Sequence, residues 1–195
     1  MKYLIGLMMI ITLSPVFAQN ADKEITEGFN IFNQAIVEGK FEKAADYIGE
    51  EMFAVVPKSQ FVGMLKMMFN NPRLDIKLSL PEILSIGEVM KIKGKFYVII
   101  YTKSNQKIRF ITSTGEVEKL DSSTLVQQTY EAWKTQLGEE NISYDKGSGF
   151  FTLNAKAKTL AISPNGKTSW KYLNVDEATR PLLQQVLPQE VMSKL

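Results

Sequence analysis

The chain has 195 residues, with 23 basic and 21 acidic side chains, a formal net charge of +2, and neither histidine nor cysteine. Without cysteine there is no disulfide framework, thiol nucleophile, thiolate metal site or lipid-modified cysteine at the N-terminus; without histidine there is no Ser-His-Asp triad, imidazole base or ordinary zinc site. The near balance of charge gives no reason to expect nucleic acid or an anionic membrane as a partner, and no cofactor or metal is expected.

Residues 1–18 have the layout of a secretory leader. Lys2 provides a positive start, Tyr3–Leu13 an apolar run, and Val16-Phe17-Ala18 a small-x-small cleavage site. That run falls short of the roughly 20 residues a membrane-spanning helix needs. Cleavage after Ala18 and export to the periplasm or beyond are therefore expected, with no stable membrane insertion afterwards. Residues 19–195 are long enough for one domain that buries roughly 70% of its unfolded surface.

Asp22–Val37 carries Ile25, Phe29, Phe32 and Ile36 on one face of an amphipathic helix. Asn20 or Asp22 is placed to cap it, and Gly39 to end it in a left-handed conformation. A second short helix is predicted over Phe41–Ile48. Pro57 suits the first turn of a third, which Asn71-Pro72 ends, with Phe61, Met64, Leu65 and Met68 expected to face the core. The methionines at 64, 67 and 68 suggest a partner groove, but Met64 and Met68 fall on the core face, so packing is the preferred reading.

From Leu74 the apolar period changes to that of a strand. Ile76, Leu78 and Leu80 alternate with polar residues up to Pro81, Ile83–Ile92 is a second run, and Lys93-Gly94 turns the chain back into Lys95–Lys103. Ser104-Asn105-Gln106 reads as a turn into Lys107–Thr112. Lys91, Lys93 and Lys95 crowd the rim of one hairpin and read as a solvated turn. Asp121 or Ser122 is expected to cap an inserted helix reaching Leu137, with Val126, Tyr130, Trp133 and Leu137 inward and Trp133 sealing it onto the sheet. Strands at Gly149–Asn154, Lys158–Ile162 and Lys167–Leu173 follow, linked through Ala155-Lys156-Ala157 and Ser163-Pro164-Asn165-Gly166. Asp176 or Thr179 opens a last helix carrying Leu182, Leu183, Val186 and Leu187, with Pro181 confined to its first turn.

In Lys95–Lys103, Phe96, Val98 and Ile100 face one way and Tyr97, Ile99 and Tyr101 the other. Both faces are apolar or aromatic, which predicts an inner strand covered on each side. Two tyrosines on one face call for polar partners or a cavity there. The expected ligand-binding residues are therefore Tyr97, Ile99 and Tyr101, with Arg109 on the next strand as the group for an anion. Packing of the tyrosines under a helix, with Arg109 solvated, is the open alternative.

The stretch Phe29-Asn-Ile-Phe-Asn-Gln-Ala-Ile-Val-Glu-Gly-Lys-Phe-Glu-Lys-Ala-Ala-Asp46 resembles the opening of NTF2-like (cystatin-like superfamily) domains, a helix with aromatic core positions followed by a glycine turn and a short helix. The Asn70-Asn-Pro72 and Ser169-Trp-Lys-Tyr172 segments also resemble small secreted bacterial proteins of unassigned function. The resemblance implies a curved sheet wrapping a helix, often with a conical pocket. The inserted helix over Ser122–Leu137 departs from the plain NTF2-like order. The fold expected is α+β, with N-terminal helices packed on a curved antiparallel sheet, the inserted helix and a C-terminal helix. The resemblance implies no activity, since such folds host enzymes and binding modules alike. The Gln-x-Val-x-Gly loop of cystatin inhibitors is missing. Three readings stand: an exported, non-catalytic α+β module binding a small apolar ligand or a protein partner; a lyase or isomerase drawing on residues such as Asp46, Asp75, Tyr97 and Tyr101; and a structural envelope component.

Overall fold

The computed structural model describes residues 16–195, so most of the expected leader, including Lys2 and the run Tyr3–Leu13, lies outside the described residues. The fold is α+β: the described residues form seven α-helices with a curved, open, antiparallel sheet of eight strands. Among the described residues no helix is long and apolar enough to cross a membrane.

The sheet is organised on β4 (Lys95–Ile111), one continuous strand of 17 residues. Along one edge lie β1 (Leu74–Leu78), β2 (Glu82–Ile86) and β3 (Met90–Ile92), each paired with a successive part of β4. Pro81 separates β1 from β2, as expected where proline removes a ladder donor, and a register shift interrupts β2 itself between Ile83 and Ser85. Lys93 and Gly94 both take positive φ, the geometry of a tight hairpin turn, and return the chain into β4. Along the other edge β7 (Phe151–Ser163) pairs from Ile108↔Phe151 to Phe96↔Ser163. Outside β7, β6 (Ile142–Tyr144) covers its start and β8 (Lys171–Val175) its end. Asn154–Ala157, between them, have no outer neighbour among the described strands. The two-residue β5 (Val117–Glu118) pairs with the far end of β4.

Two expected turns are absent. Ser104-Asn105-Gln106 and Ala155-Lys156-Ala157 read as breaks because they are polar or small, yet both lie in mid-strand, and Ser104 pairs with Ala155. The Asn105 amide donates to the Asn154 side-chain oxygen at 3.0 Å, so the polarity that suggested a turn serves the ladder instead. The second expected linker accordingly disappears into β7, while the turn after Ser163 is present: Ser163 Oγ donates to the Thr168 carbonyl and accepts from the Asn165 and Gly166 amides.

Helix α1 (Val16–Val37) lies on the inner face, the side of Phe96, Val98 and Ile100, through Ile25, Phe29, Phe32 and the half-buried Ile36. It starts earlier than its periodicity predicts. Tyr172 of β8 stacks on Phe32, meets Phe29 edge-on and donates its hydroxyl to the Ile25 carbonyl at 2.8 Å. Gly28 makes that possible, since a Cβ there would run into the Tyr172 hydroxyl. A parallel bridge from Ile48 to Tyr172 ties the chain after α2 (Phe41–Ala45) to the same point. The short α3 (Glu50–Phe53), too brief to give a periodic signal, follows and buries Met52.

In α4 (Lys58–Phe69) the buried residue is Val62, while Met64 and Met68 are about half exposed (52% and 46%) and Met67 more so (71%). This corrects the expected place of Met64 and Met68 on the core face. The helix is rotated so that Val62 meets Phe41 and Ala45, with Phe61, Leu65 and Phe69 alongside.

The inserted helix α5 (Thr124–Leu137) is capped by Ser123, whose Oγ accepts from the Val126 amide, one residue beyond the expected cap. It closes the other end of the inner face, where Trp133 contacts Phe110 and Phe151 and Tyr130 contacts Phe151. Helices α6 (Arg180–Val186) and α7 (Gln189–Met192) bury Leu183, Val191 and Met192 in the same core as Tyr97, Ile99, Leu160 and Ile162.

Candidate functional site

The inner face of the sheet is filled at two ends and empty between them. At one end Val98, Ile100 and Ala161 lie under α1; at the other Ile108, Phe110 and Phe151 lie under α5. Between these ends β4 presents Thr102, Ser104 and Gln106, and β7 presents Ala155 and Ala157. Strand alternation places all five on one face, and none of them is bulky enough and apolar enough to fill the space beneath the helices. A cavity of about 480 Å³ results.

Its roof comes from α1 and α4, through residues that include Phe32, Ile36, Leu65, Met68 and Phe69. Ile76 and Leu78 of β1 form a side wall. The floor is more polar. Thr102 reaches the Ala157 carbonyl and Thr159 the Asn174 side-chain oxygen, each at 3.4 Å. Ser104 and Gln106 side chains have no hydrogen-bond partner among the described residues, although both line the cavity.

Charge is nearly absent. Among the described residues of the lining only Lys158 and Asp176 are charged, and the Lys158 side chain lies on the outer face with Tyr101. The Lys158 ammonium donates to the Leu195 main-chain oxygen at 2.8 Å and sits over the Tyr101 ring, and the Asp176 carboxylate accepts from the Thr179 amide. Neither is an unengaged counter-charge for an ionic ligand. A mostly apolar enclosure with a few hydrogen-bonding groups is suited to an uncharged organic molecule.

Tyr97, Ile99, Tyr101 and Arg109 all lie on the opposite, outer face, as alternation requires, and none lines this cavity. Tyr97 and Ile99 are buried, and burial chiefly, with the nearby Glu51 carboxylate, raises the Tyr97 hydroxyl above its ordinary pKa. Tyr101 is 40% exposed. Arg109 is roughly 26 Å further along the strand. There it donates to Asp75 Oδ2 at 2.8 Å and lies over the Phe150 ring, 4.5 Å from its centre. The structure thus brings Tyr97 and Ile99 together with the C-terminal helices and places Arg109 in a separate ion pair.

The groups named for acid–base chemistry are also dispersed. Asp46 pairs with Lys58 at the surface and Asp75 with Arg109. Tyr144 Oη accepts from the Leu120 amide and Tyr172 Oη donates to a carbonyl; among the described residues no tyrosine hydroxyl bonds to a carboxylate. Burial drives the Tyr172 hydroxyl above the ordinary tyrosine range, which holds it protonated as a donor. Among the described residues no cluster of three or more carboxylates is placed to hold a metal ion.

The cavity floor went unrecognised in the sequence although its signal was present. Two polar or small interruptions in otherwise apolar strands face each other across one ladder. No known protein-family model matches the chain, and no curated protein matches it either.

Proposed function

We propose that the protein is an exported, non-catalytic α+β module that holds a small, uncharged, largely apolar ligand in the cavity between α1, α4 and the middle of the sheet. One observation carries this reading: a 480 Å³ apolar space whose floor presents two hydrogen-bonding side chains, Ser104 and Gln106, with no partner among the described residues. A helix laid over a concave sheet face, with a pocket beneath it, also fits the NTF2-like resemblance of residues 29–46. Ligand apolar surface would lie against Phe32, Ile36, Leu65 and Met68. One carbonyl, hydroxyl or amide of the ligand would meet Gln106, whose side chain can both donate and accept. The lyase or isomerase reading lacks support, since a general base must come within hydrogen-bond reach of the proton it takes and the described residues place no tyrosine–carboxylate pair in the cavity.

The test is binding of N-phenyl-1-naphthylamine, a neutral dye that fluoresces in apolar sites. Saturable binding to the wild type is expected, with at least about tenfold weaker binding to Ala155→Leu, which fills the floor. Equal affinity for both proteins would place the dye elsewhere and remove the cavity's claim.

A further inference from the structure

The outer face of the same strands carries a second, independent feature. Between Tyr101 and the Arg109–Asp75 pair, no helix among the described residues packs on it, and its exposed side chains include Lys103 and Lys107 of β4, Lys156 of β7 and Lys77 of β1. Lys77 stands directly opposite Lys107, and Lys103 directly opposite Lys156. Like charges in directly opposed positions of an antiparallel pair destabilise it.

None of these four ammonium groups makes an ion pair among the described residues, whereas two of the three hairpin-rim lysines do: Lys93 pairs with Glu190 and Lys95 with Glu51, while Lys91 lies over the Phe96 ring. The facing groups offer little compensation. Glu82 is opposite Lys103 without coming into ion-pair range, Asp75 is held by Arg109, and Asp145 is engaged by Ser148 and the Gly147 amide, with Lys107 acting on it only through space. Lys77 also lies over the Phe150 ring. In a chain with 23 basic and 21 acidic groups, four unpaired lysines on one bare face are a segregation of charge that composition does not force.

We infer that this lysine face docks the protein on an anionic phospholipid surface. Lysine ammoniums are compact point charges that suit phosphate headgroups without fixed orientation, and attraction of this kind is how basic surfaces reach anionic leaflets. Nucleic acid fits less well, since single strands need a groove with stacking aromatics. Here the exposed ring is Tyr101, with the Lys158 ammonium already over it, and the nearby guanidinium of Arg109 is committed to Asp75. Docking by this face would leave the cavity, on the other side of β4 and β7, uncovered.

The experiment is co-sedimentation with phosphatidylcholine vesicles, with and without about 30% phosphatidylglycerol, at about 0.05 and about 0.5 M salt. Binding is expected only to the anionic vesicles and only at low salt. The quadruple variant Lys77→Gln/Lys103→Gln/Lys107→Gln/Lys156→Gln should lose about tenfold or more in vesicle affinity. It should also melt at the same or a higher temperature than the wild type, because opposed charges are removed. Lys23→Gln/Lys43→Gln, on the N-terminal helices, should bind as the wild type. Equal binding to neutral vesicles, no binding to either, or an unchanged quadruple variant would overturn the inference. So would tighter binding to a single-stranded oligonucleotide than to the anionic vesicles, which would make nucleic acid the partner. Loss of binding with a lowered melting temperature would reduce the effect to misfolding and overturn it too.

Discussion

The two ends of the sheet and its middle are made from the same two strands, yet they are put to different uses. At the ends β4 and β7 present Val98, Ile100 and Phe151 to helices, and these side chains are fully buried. In the middle the same strands present Thr102, Ser104, Gln106, Ala155 and Ala157 inward, around a cavity, and exposed lysines outward. Burying apolar surface stabilises a strand by roughly 1.5–3 kcal/mol for each large side chain. The middle forgoes that and is carried by its neighbours through one uninterrupted hydrogen-bond ladder. Stability therefore resides in the ends, and the binding proposed above falls where stability is low.

The largest expected effects break the packed ends. Phe29→Ala and Phe151→Ala should each cost about 3–5 kcal/mol in a chemical denaturation experiment, because each ring is fully buried against other rings. A comparable loss from Gln106→Ala would mean that the middle is as structural as the ends.

Gly28→Ala sharpens the contrast, since two effects oppose each other in it. Alanine is the better helix former by roughly 0.5–1 kcal/mol, but its Cβ would displace the Tyr172 hydroxyl from the Ile25 carbonyl. Net destabilisation of about 1–3 kcal/mol is expected from the clash, read as a lowered denaturation midpoint. A gain in stability would mean that the Tyr172 anchor is soft. Tyr172→Phe, which removes the bond and keeps the ring, should cost less, about 0.5–1.5 kcal/mol.

A smaller effect belongs to the α5 end, where the Ser123 hydroxyl, chiefly, and Arg73 hold the Glu118 carboxyl below its ordinary pKa. A depressed folded-state value means that the unfolded chain binds the proton more readily. The stabilisation is therefore present above the unfolded carboxylate pKa and is lost as pH falls through the lower folded one. Glu118→Gln should flatten the acid side of a stability-against-pH curve, while its neutral-pH stability falls only slightly. An unchanged acid slope would assign acid sensitivity to other carboxylates.

Much of the packed structure was legible in the sequence. Ile25, Phe29 and Phe32 recur at helical spacing and are buried, and Val126 and Trp133 face the sheet as their spacing predicts. Those positions obey the rule that apolar residues repeat with the period of their element. The rule has no purchase where nothing packs. Ser104-Asn105-Gln106 and Ala155-Lys156-Ala157 lack apolar alternation because they floor a cavity, and local propensity then mistakes them for turns. The methionines of α4 misled in the opposite sense: Met64 and Met68 are apolar, but the helix is oriented by Val62 and its aromatic neighbours. The expected binding residues were sought where tyrosines interrupt an apolar face, whereas the candidate cavity lies where strands lose their apolar residues altogether.

The long β4–β7 ladder has a kinetic consequence. The hairpin that ends at Lys93-Gly94 joins residues close in sequence, and loops of that size close rapidly. The ladder instead joins Ile108 to Phe151 and Phe96 to Ser163, enclosing β5, α5 and β6 in the loop it closes. Non-local pairing of this kind is the slow step in sheet proteins, and folding on the millisecond-to-second scale is expected. Since Ala155 and Ala157 reach the cavity only through that ladder, the floor is complete only once that barrier has been crossed. A ligand held there would therefore slow unfolding and leave the folding rate almost unchanged, so that its binding would be recorded in the lifetime of the native protein.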